Sequence, residues 1–326
     1  MALWREDDPE VFKATIVVAA ERLDIQPLAV EKDYWVCEVL RTLVARHPGQ
    51  VVFKGGTSLE KLRIIQRFSE DLDILVVGDY KTKRSAKAAL RAMHATAASA
   101  TGGACRDPKS GGELGTLHRK AWVELPLEHS TQPTGLADPK AVYVELGQTG
   151  GPNPSALKPV ESLLSRELAG SDIGQWDDLA SFEVTILHPG RTLIEKLLRV
   201  NNFVADPARR SDPHGLPRIG RQFYDIWALL GDREVSSLLD DKALFGEILT
   251  SAYEISQAAF EPDSPVPDGG FAASLAFDPS GEFVAVLRRE HDVAMRDLYY
   301  GTSTPPSFAD VLERVQSRAR LLNPNR

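Results

Sequence analysis

The sequence predicts an α/β domain over residues 1–187, followed by a mainly helical domain over residues 188–326. In the first part, short apolar or alternating segments typical of strands are interspersed with segments whose apolar residues recur at helical spacing. From residue 188 onward the helical spacing dominates. This change of pattern indicates the division into two domains.

The chain begins with a helical region. Residues 8–46 carry apolar residues three and four positions apart, with Pro27 at a turn between two helices. The segment "QVVFK" then has the composition of a short buried strand, "TSLEKLRIIQ" predicts a helix, and "DLDILVV" predicts a second strand. A strand–turn–helix–strand unit is therefore expected between residues 50 and 77.

An alanine-rich helix is predicted at 83–99, and a flexible glycine-rich loop at 102–117, for which the sequence suggests no function. The segments "KAWVELPLE" and "AVYVELG" alternate like half-buried strands. The remaining elements expected in the first domain are a helix at about 159–169 and the strand "FEVTIL".

The second domain opens with "HPGRTLIEKLLRVNNFV", where Thr192 and Glu195 have the spacing of a capping box. A loop rich in Pro, Gly and Arg follows, and then the helical segment "RQFYDIWALL". Four arginines around this loop could present a basic rim to RNA, although a solvated loop is an equally good interpretation: Arg209, Arg210, Arg218 and Arg221.

The composition is that of a globular protein of 326 residues, with 43% hydrophobic and 26% charged residues. The formal net charge of −8 argues against nonspecific coating of nucleic acid but leaves room for a local basic cleft. Two cysteines are too few for a disulfide framework or a cysteine zinc site. The sequence contains no apolar run of ~20 residues and no signal-peptide pattern, so we expect a cytoplasmic protein.

A glycine turn follows the first predicted strand. Glycines at 55 and 56 let backbone N–H groups approach an anion, and Lys54 adds positive charge beside them. Thr57 and Ser58 could donate to phosphate oxygens, and Lys61 adds a second charge. The turn therefore suggests a phosphate site, although an ordinary strand–turn–helix with solvated charges has the same pattern.

Two aspartates stand on the second strand of this unit. Asp71 and Asp73 project from one face, because side chains alternate along a strand. Adjacent carboxylates repel each other, and bound Mg²⁺ relieves the repulsion while bringing nucleotide phosphates with it. Glu145 on a later strand could supply a third carboxylate for two-metal chemistry. A solvated strand end, and an exposed glutamate on an edge strand, are the competing interpretations.

The segment "FKGGTSLEKLRIIQRFSEDLDILV" resembles the glycine–DxD signature of the nucleotidyltransferase toxins of the type IV abortive-infection group, the AbiEii/AbiGii-like family with its MenT-type members. The resemblance extends over most of the chain, to the segments "EKDYWVCEVLRTL", "LHPGRTLIEKLLRV", "RQFYDIWALL", "MRDLYYGTSTPPSFADVLERV" and "LLNPN". It implies a polymerase-β-like nucleotidyltransferase fold with a mixed sheet.

The resemblance also implies a reaction and partners. A Mg²⁺-dependent toxin would transfer NMP from an NTP to RNA, above all the 3′ end of tRNA, and so block translation. A cognate antitoxin would neutralise it, and we expect a monomer. Transfer to a protein or small-molecule hydroxyl, and a catalytically silent nucleotide-binding module, are the alternatives.

Carried over position by position, the resemblance assigns roles to individual residues. Phosphate binding would fall to Gly55, Gly56 and Ser58, with Lys61 nearby, and Mg²⁺ to Asp71 and Asp73. Lys196 would contact the phosphates, Asp225 would orient or deprotonate the attacking hydroxyl, and Arg221 would belong to the same motif. Alternatively, Lys196 and Asp225 are charges on helix surfaces. Gln222 stands where the family often has aspartate, and Ser69 is a candidate for regulatory phosphorylation.

Overall fold

A computed structural model describes residues 2–69, 71–107, 113–114, 118–129, 138, 140–148, 150–171, 176–210, 215–259 and 263–325. The chain forms two compact units. The first contains residues 1–62 and 68–186, and the second contains residues 63–67 and 187–326. The short segment 63–67 therefore belongs to the second unit, although in sequence it interrupts the first. As a division into domains, the boundary at 187/188 stays a prediction.

The first unit is built on a mixed sheet, which confirms the predicted α/β class. Its strands are β1 Val51–Lys54, β2 Asp71–Val76, β3 Cys105–Arg106, β4 Glu113–Leu114, β5 His118–Glu124, β6 Ala141–Gly147, β7 Ser155–Val160 and β8 Phe182–Leu187. They lie in the order β3-β5-β6-β2-β1-β8-β7, with β4 beside β5. Strand β2 pairs antiparallel with β1 and parallel with β6, so it lies inside the sheet.

Six helices of the first unit are described: α1 Trp4–Asp7, α2 Pro9–Leu23, α3 Pro27–Arg46, α4 Gly55–Lys61, α5 Lys83–Thr101 and α6 Leu163–Glu167. Buried residues of α2, α3 and α5 share one apolar core with alternate residues of the central strands. Phe53, Leu72, Ile74, Val144 and Leu146 belong to that core. The opposite face of the same strands is therefore left for polar side chains.

Two predicted helices differ from the structure. The helix expected at 159–169 is shorter, because residues 155–160 form β7 at one end of the sheet order. Pro159 is tolerated there because a strand at the sheet edge has one side that makes no ladder hydrogen bonds. The helix expected over "TSLEKLRIIQ" ends at Lys61, and Arg63 adopts φ +60° where the chain passes to the second unit.

The second unit is helical over its described residues: α7 Pro189–Ala205, α8 Pro207–Arg210, α9 Gly215–Leu229, α10 Arg233–Asp240, α11 Lys242–Ala259, α12 Val284–Leu298 and α13 Phe308–Ser317, with two 3₁₀ turns at Phe271–Ala273 and Leu275–Phe277. Within this unit α9 packs against α7, α12 and α13. The predicted mainly helical second part is confirmed. No helix in the described part of the chain is long and apolar enough to cross a membrane.

Candidate active site

A row of four charged side chains crosses the centre of the sheet. Lys54 of β1 lies opposite Asp73 of β2, Asp73 lies beside Glu145 of β6, and Glu145 lies opposite Lys120 of β5. Residues in register project from the same face of a sheet, here the face away from the apolar core. The charged row, as we name Lys54, Asp73, Glu145 and Lys120, thus places two carboxylates side by side with a lysine at each end.

Lys120, at one end of the charged row, forms an ion pair with Glu145. Lys120 Nζ lies 2.8 Å from Glu145 Oε2, and both side chains are partly exposed. Asp71 lies one row further along the same face, beside Tyr143 of β6. The register therefore brings Asp71, Asp73 and Glu145 onto one face of two neighbouring strands. Their role as metal ligands stays a prediction.

The glycine turn touches the charged row directly. Gly55 has φ +79°, a conformation that L side chains rarely adopt. A Cβ placed on this residue would lie 2.1 Å from Oδ2 of Asp73. Glycine is therefore required at position 55 for two independent reasons, the backbone conformation and the space taken by the carboxylate.

The hydroxyls at the start of α4 brace the turn. Ser58 is fully buried and donates a hydrogen bond from Oγ to the carbonyl of Gly55 at 2.8 Å. Thr57 Oγ1 lies 2.5 Å from the carbonyl oxygen of Asp71 and 3.0 Å from Ser69 Oγ. Because a hydroxyl carries one proton, Thr57 donates to the carbonyl and accepts from Ser69. These contacts fix the turn against β2, so contact of either hydroxyl with phosphate stays a prediction.

Lys61 has a structural role in this arrangement. Its side chain is fully buried and pairs with Asp33 of α3 and, at 3.0 Å, with Glu60. Burial alone would lower the pKa of Lys61, but the Asp33 and Glu60 carboxylates outweigh it and raise the pKa. Arg166 also pairs with Glu60, so α3, α4 and α6 are tied together. Binding phosphate would require Lys61 to leave two buried carboxylates, and we therefore leave it out of the proposed nucleotide site.

A second polar cluster lies within the helical unit. Asp225 of α9 is fully buried and accepts hydrogen bonds from Arg67 Nε at 2.7 Å and Nη2 at 2.6 Å. Lys196 Nζ of α7 lies 2.7 Å from Asp225 Oδ2 and donates to Gln222 Oε1 at 2.9 Å. The charges of both predicted residues, Lys196 and Asp225, are thus engaged with each other, and neither is a solvated helix-surface charge.

The electrostatics of this cluster favour a positioning role for Asp225. Burial would raise the pKa of Asp225, but the charges of Arg67 and Lys196 hold it at about 2. A carboxylate with so low a pKa and with both oxygens occupied by strong donors is a poor proton acceptor. Burial lowers the pKa of Lys196, and Asp225 counteracts this effect. Asp225 is therefore better suited to holding the Lys196 ammonium in place than to removing a proton.

Two members of this cluster were missed in the sequence. Arg67 stands in "RFSEDLD", inside the very motif that carries the aspartates, but only the fold shows its partner on α9. Gln222 was noted as a departure from the family pattern, and the structure shows it accepting from Lys196. Arg221, its neighbour, is partly exposed on α9.

The arginines of the predicted basic rim differ among themselves. Arg210 donates to the carbonyl of Val204 and lies over the ring of Phe283, so its guanidinium is engaged within the fold. Arg218 is exposed. The side chain of Arg209 and half of the predicted glycine-rich loop 102–117 lie outside the described residues. The described half is not a loop throughout, because residues 105–106 and 113–114 form β3 and β4, which pair with β5.

The carboxylates fit a magnesium ion in their chemistry. Asp71 and Asp73 offer the hard oxygens that Mg²⁺ prefers, and the absence of a Cβ at Gly55 lets the Asp73 carboxylate pack directly against the glycine turn. Among the residues that the structure describes, no group of three or more His, Cys, Asp or Glu could hold a metal by itself. A Mg²⁺ ion commonly combines one or two protein carboxylates with the phosphates of a substrate.

A glycine turn against paired carboxylates on a mixed sheet is the arrangement expected of a nucleotidyltransferase. The family described as nucleotidyl transferase AbiEii toxin, type IV toxin–antitoxin system, matches residues 39–314. The chain belongs to this family and is a nucleotidyltransferase. Membership implies an NTP substrate and a cognate antitoxin.

Comparison with solved structures found eight similar chains, and the two that follow are of low identity. The nucleotidyltransferase toxin MenT4 of Mycobacterium tuberculosis H37Rv is 16% identical, with 94% of this chain and 99% of that chain covered and a TM-score of 0.35. A putative nucleotidyltransferase of H. pylori is 12% identical, with 80% and 95% covered and a TM-score of 0.30. These values add nothing to the family match. Comparison with curated proteins found no match.

Proposed function

We propose that the protein transfers a nucleoside monophosphate from an NTP to RNA, at the 3′ end of a tRNA, in a Mg²⁺-dependent reaction that blocks translation. The observation that carries the proposal is the contact between Gly55 and the Asp73 carboxylate, because it brings the proposed phosphate-binding turn and a proposed metal ligand together. Such a tRNA acceptor would locate the reaction in the cytoplasm. We propose that the chain acts as a monomer, which size-exclusion chromatography with light scattering tests.

Each part of the site has a role in this reaction. The backbone N–H groups of Gly55 and Gly56 receive the triphosphate, and Lys54 contributes charge. Asp71 and Asp73, with Glu145 beside them, would hold Mg²⁺, which stabilises charge on the attacking and leaving oxygens. The acceptor hydroxyl forms a bond to the α-phosphorus while the bond to the β-phosphate oxygen breaks, and pyrophosphate leaves with that electron pair.

Lys196 and Arg221 of the helical unit also have proposed roles, taken from the family resemblance. In the proposed scheme Lys196 contacts the phosphates, and Asp225 and Gln222 hold its ammonium in position. Arg221, which lies on α9 with Gln222 and Asp225, is proposed to bind the nucleotide. The acceptor loses its proton to solvent or to the leaving group rather than to Asp225, because the pKa of Asp225 lies at about 2.

The direct test incubates the purified protein with Mg²⁺, each labelled NTP in turn, and total tRNA. We expect label at the 3′ end of tRNA, with transfer by Asp73→Asn reduced by orders of magnitude. Glu124→Gln is the matched control, because Glu124 lies on the same face of β5 and pairs with Arg106 at the surface. Label on protein or on a small molecule, with none on RNA, would contradict the RNA acceptor.

We propose Ser69 as a site of regulatory phosphorylation. Its side chain is partly exposed, within hydrogen-bond distance of Thr57, and it stands just before the two aspartates. A phosphate there adds negative charge beside groups that must attract metal and triphosphate. We expect Ser69→Glu to abolish transfer while Ser69→Ala retains most of it. Equal rates for the two variants would rule out the proposed charge effect.

A further inference from the structure

Two aromatic side chains lie beside the carboxylates on the polar face of the sheet. Trp122 of β5 is in register with Tyr143 of β6, and Tyr143 is in register with Asp71 of β2. The ring centroids of Trp122 and Tyr143 are 4.7 Å apart, with an interplanar angle of 48°. The aromatic pair, as we name these two residues, thus continues the row that begins at Asp71.

The aromatic pair is not needed for the core of the unit. The apolar core lies on the other face, where the same strands contribute Val123, Val142 and Val144. Trp122 and Tyr143 are both partly exposed. Lys120 Nζ lies 5.9 Å from the centre of the Tyr143 ring while it pairs with Glu145, so a positive charge lies beside the aromatic pair. Proteins commonly bind single-stranded nucleic acid by stacking bases on aromatic rings and contacting the phosphates with nearby positive charges.

The strand order indicates which substrate the rings would meet. The glycine turn follows β1, the carboxylates lie on β2 and β6, and the aromatic pair lies on β6 and β5. Phosphates bound at the turn would place the pyrophosphate on the β1 side. In an in-line displacement the attacking hydroxyl approaches from the side opposite to the leaving group. The aromatic pair therefore lies on the side from which the acceptor enters.

We propose that Trp122 and Tyr143 form a stacking surface for the unpaired terminal bases of the RNA acceptor. The proposal rests on the proposed function, since it assigns the acceptor side of that same site. Unpaired RNA bases stack readily on aromatic rings, whatever their sequence, and this suits recognition of a single-stranded 3′ end. Lys120 attracts the adjoining phosphate group.

The first experiment measures transfer kinetics for Trp122→Leu and Tyr143→Leu. We expect KM for the RNA acceptor to rise by about 5- to 150-fold, the range that stacking of one base supplies, with KM for the NTP unchanged. Trp122→Phe should recover part of the loss. Tyr80→Leu is the control, because Tyr80 is a partly buried ring of the same unit that follows the other end of β2. A rise in KM for the NTP, or no change in KM for RNA, would overturn the proposal.

The second experiment is independent of turnover. Binding of a short RNA ending in CCA is measured by fluorescence anisotropy with Asp73→Asn protein, alone and combined with each leucine substitution. We expect weaker binding with either substitution and unchanged binding with Tyr80→Leu. Equal RNA binding with and without the two rings would contradict the proposed stacking surface, even if the transfer assay labels tRNA. Ring-dependent binding with no transfer in the wild-type protein would support the surface and contradict the proposed function.

Discussion

Among single residues, Gly55 has no room for a side chain, because any Cβ at this position would clash with the Asp73 carboxylate. Gly55→Ala must move either the turn or the Asp73 carboxylate, because the added Cβ would lie 2.1 Å from Oδ2. A displacement of about 1 Å at a reacting centre lowers rates on the order of 100-fold. We expect that loss in the labelled-NTP assay.

Gly49 provides the control for this substitution. It has φ +72°, close to that of Gly55, but no atom lies within 4 Å of the position its Cβ would take. Gly49→Ala should therefore cost about 1 kcal/mol of folding free energy from backbone strain and leave the transfer rate unchanged. Similar losses of activity in both variants would mean that strain, and not contact with Asp73, limits residue 55.

The ion pair between Arg67 and Asp225 gives a second prediction. Removing a partner from a buried pair leaves an uncompensated charge, so Arg67→Ala should lower the free energy of unfolding by about 3–5 kcal/mol in urea denaturation. The control is Arg296→Ala, since Arg296 makes a similar two-point contact with Asp297 but is 71% exposed. That variant should leave the free energy of unfolding nearly unchanged, because water screens an exposed ion pair. Equal losses of unfolding free energy in the two variants would show that burial does not make the Arg67–Asp225 pair more important for stability.

Individual residues also show the limits of sequence reasoning. Alternation along β2 was enough to predict that Asp71 and Asp73 share a face. The burial of Lys61 was not predictable, because its partner Asp33 lies on α3 and only packing brings the two helices together. The hydroxyls of Thr57 and Ser58 resembled phosphate ligands in the sequence, because only the fold shows that they contact backbone carbonyl groups.

At the scale of elements, helix α5 is tied to strand β6 through a histidine. His94 Nε2 lies 3.1 Å from the carbonyl oxygen of Val144, in the strand that carries Tyr143 and Glu145. Burial lowers the pKa of His94 to about 4. Since this pKa is below the unfolded value of about 6.5, protons bind preferentially to the unfolded chain. The stabilisation is complete above about pH 6.5 and is lost as the pH falls towards 4.

We therefore expect the protein to lose stability between pH 7.5 and pH 5, with His94 contributing about 2 kcal/mol of the loss. Burial also lowers the pKa of His47 and His118, so they contribute in the same direction. Urea unfolding of His94→Gln at the two pH values isolates the His94 part, because the other histidines remain. An unchanged pH dependence in the variant would contradict the assignment.

Elements were easier to predict than their pairing. The alternating segments gave β5 and β6 and the faces that their side chains occupy. The sequence could not provide the parallel register between β2 and β6, since parallel strands far apart in the chain leave no local signal. That register decides that Glu145 stands beside Asp73 and Tyr143 beside Asp71. The strand β7 was missed because Pro159 argues against a strand anywhere except at an edge.

At the scale of the whole molecule, the segment 63–67 depends on the second unit. Arg67 is 1% exposed, and its partner Asp225 lies beyond residue 187. A fragment ending at residue 187 should therefore be cut by trypsin after Arg67, whereas the full chain should resist cleavage there. Mass spectrometry of the digest measures this directly.

Arg63 is the internal control for that digest, because it is exposed in the full chain and offers trypsin a site four residues earlier. We expect cleavage after Arg63 to change little between the fragment and the full chain. Protection of Arg67 in the fragment would contradict a dependence on the second unit. The change in hydrophobic pattern at residue 187 was visible in the sequence, but the assignment of segment 63–67 was not, because five residues carry no periodicity to read.

The place of Arg67 in the chain also sets an order of events during protein synthesis. Its partner Asp225 is 158 residues further along, so a ribosome adding about 5–20 residues per second reaches it roughly 8–30 s later. Throughout that interval the aspartates of β2 have already been made, while the segment just before them lacks its anchor. The nascent chain thus acquires its carboxylates early, and it acquires the partner that anchors the preceding segment only after 225 of its 326 residues have been translated.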